Sequence, residues 1–160
     1  MEKLQELKKK YKELGEEIER LEKKRDVWKP QHNEKYFFIK THGEIDWTYW
    51  EDDNYFDTER YEIGNCFKTR EKAEKAVEKA KIYAQLKRLA EEINTEPIDW
   101  ENEYQIKYAI TYDYDKSKIT QTNWAFVQAM NVIYCTNKNF LDIALERIGE
   151  EKLLKLFKEE

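Results

Sequence analysis

The chain has 160 residues, of which 40% are hydrophobic and 39% charged, with 5 Trp, 11 Tyr and 7 Phe and a formal net charge of −5. So many aromatic residues exclude a disordered chain, while the charged share implies a modest core beneath much solvated helix surface. No apolar run is long enough to span a bilayer, and 2 Cys cannot build a disulfide framework, so free thiols and a cytosolic setting without membrane contact are expected.

Leu4, Leu7, Tyr11, Leu14, Ile18 and Leu21 advance in steps of 3, 4, 3, 4 and 3, the a and d positions of a heptad pattern. Nearly all other positions there are Lys, Glu, Gln or Arg. The stripe is too narrow for a core helix and suits a self-associating coiled coil; packing on its own domain is the alternative. These six residues are the expected oligomerisation seam, for a homodimer or higher oligomer. The seam fails at Arg25, and Trp28-Lys29-Pro30 ends the helix, because a residue before proline is pushed out of the α region.

Alternation of apolar and polar residues predicts a hairpin from strands 35–41 and 44–50, turning at His42-Gly43. Residues 51–58 read as a polar loop, and 60–63 or 65–68 as a third short strand. From Thr69, placed as N-cap, the period becomes helical through Ala73, Ala76, Val77, Ala80, Tyr83, Ala84, Leu86, Leu89, Ala90 and Ile93. Asn94 to Pro97 stops that helix. Strands follow in 104–114, within 117–128 and in 131–135. A helix over 137–148 ends at Gly149, and a short one over 150–158 closes the chain.

The two halves echo each other. Phe67-Lys68-Thr69 matches Tyr134-Cys135-Thr136, and Ala73, Ala76 and Val77 match Phe140, Ile143 and Ala144 at the same spacing. The expected fold class is α+β. An N-terminal coiled-coil-like helix (1–27) precedes two degenerate β-hairpin-α units, 28–98 and 99–160, forming antiparallel sheet packed on helices.

Residues 44–62 carry eight acids, Glu44, Asp46, Glu51, Asp52, Asp53, Asp57, Glu59 and Glu62, against Arg60 alone. Trp47, Tyr49, Trp50, Tyr55, Phe56 and Tyr61 lie among them. Acid mixed with large rings suits protein recognition better than phosphate binding. The expected partner-binding residues are Trp47, Tyr49, Trp50, Glu51, Asp52, Asp53, Tyr55 and Asp57, with strand alternation burying one side of the set, either Trp47 and Tyr49 or Trp50.

Catalytic patterns are weak. The lone serine, Ser117, sits beside lysines in a turn without a nucleophile-elbow motif. Cys66 lies at a strand-to-helix corner, where helix dipoles can activate a thiol, although a buried strand cysteine is the commoner case. Cys66, Cys135, His32 and His42 lack zinc spacing, and the calcium-loop likeness of residues 51–57 fails at Phe56 and Ile63. No cofactor, metal or catalytic residue is expected, and the chain reads as a non-enzyme.

The run Trp28-Lys29-Pro30, Glu34-Lys35-Tyr36-Phe37-Phe38-Ile39, Gly43-Glu44-Ile45, Trp50 and Arg60-Tyr61-Glu62-Ile63-Gly64-Asn65-Cys66-Phe67-Lys68-Thr69-Arg70-Glu71-Lys72-Ala73-Glu74 resembles small coil-containing accessory proteins of bacteriophages and prophages. The likeness covers about residues 28–90 well and the second half loosely. It implies a viral protein in the host-cell cytoplasm. The shorter piece from Gly64 to Glu74 is similar to parts of AP2-type and integrase-arm DNA-binding domains and of SPOR domains, whose functions are unrelated. Together, residues and resemblance lead to one expectation: a phage binding protein that inhibits a host defence factor, such as a CRISPR or restriction nuclease or a signalling system. A DNA- or RNA-binding accessory protein using sheet aromatics is the alternative. A pocket sequestering a nucleotide signal is a third class, for which no phosphate motif exists to check.

Overall fold

The computed structural model describes residues 2–24, 27–124 and 127–158, and its architecture is α+β. Helix α1, Glu2–Lys24, carries exposed lysine–glutamate pairs along its surface: Lys10 with Glu6 at 3.2 Å, Lys12 with Glu16 at 3.8 Å and Lys9 with Glu13 at 3.9 Å. Leu7, Tyr11, Leu14 and Ile18 are all exposed on it. The side chains of Leu4 and Leu21, expected in the same seam, lie outside the described residues, as does Arg25.

By packing, the chain divides into Met1–Ala73 and Glu74–Glu160, a boundary inside a helix. In the first unit, β1 (Lys35–Ile39) and β2 (Ile45–Tyr49) form an antiparallel pair in which Phe37 faces Trp47. Gly43 takes the left-handed φ of 84° that the turn needs. On its other side β1 meets a single bridge, where Phe37 and Phe67 exchange both backbone hydrogen bonds at 2.9 Å.

Between β2 and that bridge the sequence-based expectation fails. Residues 55–62 are neither loop nor strand but helix α2, Tyr55–Glu62. The Asn54 side chain caps it, accepting from the N–H of Phe56 at 2.9 Å and of Asp57 at 3.4 Å. At its other end Gly64 adopts φ 74°, with Gly64 N–H donating to Tyr61 O and Asn65 N–H to Arg60 O. This paired closure is a Schellman motif, which recruits Gly for its left-handed residue. The third strand expected in 60–63 or 65–68 is reduced to the Phe67 bridge.

Asn65 then fixes the corner. Its Nδ2 donates to Ile39 O and its Oδ1 accepts from Ile39 N–H, both at 2.8 Å. Thr69 Oγ1 accepts from Lys72 N–H at 3.2 Å and opens α3, Arg70–Ile93. The Asn65 and Thr69 side chains of this corner therefore both bond backbone, that of β1 and that of the first turn of α3.

In the second unit, β3 (Lys107–Asp113) pairs with β4 (Lys118–Trp124) and with the short β5 (Tyr134–Cys135), giving the order β4-β3-β5. The first unit has the same order, β2-β1 followed by the Phe67 bridge. Phe67 pairs with Phe37 as Tyr134 pairs with Ala109, and Ala73 and Phe140 are fully buried near the start of the helix that follows each. Helices α4 (Phe140–Arg147) and α5 (Glu150–Phe157) follow. Leu86, Leu89 and Ala90 of α3 join Ile110, Ile119, Cys135, Phe140, Ala144 and Leu153 in one core. That core is why most of α3 lies with the second unit.

Candidate partner-recognition surface

Strand pairing selects what the hairpin shows. Lys35 faces Tyr49 and Phe37 faces Trp47, and residues opposite one another or two apart share a sheet face. Phe37 is half-buried; Lys35, Trp47 and Tyr49 are exposed. The Trp47 and Tyr49 rings meet edge to face at 5.7 Å, and Lys35 Nζ stands 4.1 Å from the Trp47 ring centre. This places a cation on the ring face, where the quadrupole attracts it. A second ring pair, Tyr55 and Phe56, opens α2 at 5.7 Å, with 69% and 66% exposure. Glu51, Asp52 and Asp53, all exposed, connect the two pairs along the chain.

Two residues expected on this surface belong to the interior. Trp50 is 1% exposed and Asp57 2%. Asp57 is the hub of a buried polar cluster. Its Oδ1 accepts the Tyr36 hydroxyl at 2.6 Å and an Arg60 N–H at 3.2 Å, while its Oδ2 accepts the Glu51 N–H at 3.0 Å. Arg60 also donates to the Tyr36 oxygen at 2.9 Å and lays its guanidinium 3.8 Å from the Phe38 ring centre. A carboxylate so enclosed persists because every contact satisfies or neutralises it. Trp50 packs edge-on to Tyr36 at 6.0 Å and Tyr61 at 6.1 Å, with Lys29 over its ring. Its indole N–H donates to Asp52 Oδ1 at 2.9 Å.

Neighbours temper the remaining acids unevenly. Lys40 lies 2.8 Å from Asp46 and 3.4 Å from Glu44, and His42 stands 3.1 Å from Glu44. Lys40 and the Trp47 N–H hold the Asp46 carboxyl below its usual range, and His42 then Lys40 do so for Glu44. Asp46 Oδ1 accepts that Trp47 N–H at 2.9 Å. Asp52 also lies 3.5 Å from His32. In this segment the exposed acids outside the hairpin are Glu51, Asp52 and Asp53 in the linker and Glu59 and Glu62 on α2.

Sequence reasoning missed Lys35 and Phe37, and counted Phe56 among the rings of the acidic segment without placing it in the partner set. The first two share Trp47's face by strand parity, a signal readable once the turn at Gly43 fixes the register. Phe56 follows from the helix start that Asn54 marks.

Burial, then the nearby Asp57 charge, pushes the Cys66 thiol up to about 11, away from the thiolate that a nucleophile requires. Ser117 occupies the β3–β4 turn at φ 51°. Among the described residues no group of three or more His, Cys, Asp or Glu is placed to hold a metal ion, and no helix is long and apolar enough to cross a membrane. No family model, no curated protein and no solved structure matches this chain.

Proposed function

We propose that this chain is a non-enzymatic binding protein that grips another protein through Trp47, Tyr49 and Tyr55, with Glu51, Asp52 and Asp53 steering the approach. The observation that carries the reading is the exposed Trp47–Tyr49 pair on a hairpin face, beside a linker of three consecutive acids. Large rings held edge to face lose little freedom on binding, and acidic neighbours favour a basic partner surface. Trp50 and Asp57 serve this surface from beneath, by fixing the end of β2 and the start of α2. Self-association through the α1 seam belongs to the same reading.

The phage resemblance supplies the setting. A protein with acidic and aromatic display can occupy the basic nucleic-acid channel of a host nuclease, and so blunt a CRISPR or restriction defence. The test is phage plating on host cells carrying such a system, with and without this protein. Restored plaques that Trp47→Ala/Tyr49→Ala abolishes, with the variant still folded, support the reading. Salt-sensitive retention of random DNA or RNA oligonucleotides by the purified protein sinks it in favour of nucleic-acid binding.

A further inference from the structure

We propose that α1 docks on α1 of a second copy of this chain, in antiparallel orientation. The inference builds on the self-association reading of α1 and is independent of the aromatic hairpin surface.

Leu7, Tyr11, Leu14 and Ile18 form a continuous stripe at a/d spacing, exposed even to 84% at Tyr11, on a helix otherwise covered by charge. A stripe of that kind is covered by another helix of the same pattern. Its sequence is symmetric about its middle. An antiparallel mate sets Leu7 against Ile18 and Tyr11 against Leu14, so every described seam residue meets another apolar one.

Charge then selects the direction. Residues 5–12 hold Lys8, Lys9, Lys10 and Lys12 against Glu6; residues 13–18 hold Glu13, Glu16 and Glu17 and no base. Antiparallel pairing lays the basic half of each helix on the acidic half of the other. Parallel pairing stacks like on like, which costs affinity. Lys10 and Glu17 both take the g position beside the seam, and g residues face g residues in an antiparallel pair. The pairs within one helix, such as Lys10 with Glu6 at 3.2 Å, are exposed and weak, so they yield to or share with partners across the seam.

The experiment is sedimentation velocity on the full chain across a wide concentration range at low salt. The expected result is a reversible dimer lost in Leu14→Glu. Lys10→Glu and Glu17→Lys each weaken it by about tenfold, because two attractive contacts become repulsive, and the double variant recovers it. A dimer that Leu14→Glu leaves unchanged, or a chain that stays monomeric throughout, overturns the use of α1. Strengthening or no change in either single charge variant overturns the antiparallel orientation while leaving self-association standing. Neither result bears on the plating test.

Discussion

Tyr36 and Asp57, 21 residues apart in sequence, share a hydrogen bond of 2.6 Å inside the first unit. The bond ties β1 to α2, and Arg60 and the Glu51 N–H complete the cluster. Asp57→Ala leaves the Arg60 guanidinium and the Tyr36 hydroxyl without their acceptor. It is expected to cost about 3 kcal/mol, and Tyr36→Phe about 1 kcal/mol, in urea unfolding. An Asp57→Ala midpoint equal to the parent's would remove the cluster from the account of stability.

Burial of Tyr36, with this bond second, makes the fold sensitive to alkali. Burial first, and Asp57 second, push the ionisation of Tyr36 upward. In an unfolded chain Tyr loses its proton near about pH 10. Above that pH the folded chain keeps a proton that the unfolded chain has released, so stability present in full below about pH 10 drains away as pH rises. Comparing unfolding midpoints at about pH 8 and about pH 11 should show a loss that Tyr36→Phe reduces. An equal loss in that variant places the alkaline sensitivity elsewhere.

Neighbouring tryptophans should separate cleanly. Trp50→Ala empties a fully enclosed volume and is expected to cost about 3–5 kcal/mol. Trp47→Ala removes a ring that solvent already reaches, at a cost of about 1 kcal/mol or less. Denaturation curves of the two variants decide it, and similar midpoints would contradict the division between display and interior.

Two glycines should respond in opposite directions. Gly64 sits at φ 74°, where a β-carbon is strained, so Gly64→Ala should destabilise the first unit by about 1 kcal/mol. A β-carbon at Gly15, inside α1, would meet nothing within 4 Å. Gly15→Ala should stabilise the helix by up to about 1 kcal/mol. Thermal melts followed by far-ultraviolet circular dichroism report both, and matching signs would refute the assignment of their roles.

Cys66 should be sluggish towards alkylation. With its thiol pushed up to about 11, the thiolate at neutral pH is roughly a hundredfold scarcer than for an ordinary cysteine. Mass spectrometry of iodoacetamide labelling, folded against urea-unfolded, measures this. Faster labelling in the folded chain would reopen a nucleophilic role.

How much of this was readable in advance depends on the range of the interaction. The hairpin, α3 and the second unit's strands announce themselves through local periodicity, and Thr69 through its place before a helical run. Helix α2 did not, because Tyr55, Phe56, Tyr61 and Ile63 look strand-like while its real markers, Asn54 and Gly64, lie just outside it. Trp50 and Asp57 were assigned to the surface on composition. Strand alternation left Trp50 or the Trp47 and Tyr49 side to be buried, and Tyr36 and Lys29 arriving from upstream decide for Trp50; the enclosure of Asp57 depends on Tyr36 and Arg60, and no local pattern encodes that meeting. Lys35 and Phe37 were reachable, since strand parity alone puts them beside Trp47.

The small bond from the Trp47 amide to Asp46 reaches further than its size suggests. Backbone bonds from Trp50 to Glu34 and from Lys40 to Glu44 fix which strand residues pair inward, so the Trp47 amide points off the open side of β2. The Asp46 carboxylate already occupies it, with the Lys40 ammonium 2.8 Å away. An incoming strand finds the central donor of this edge taken, which discourages edge-to-edge pairing with a second ribbon.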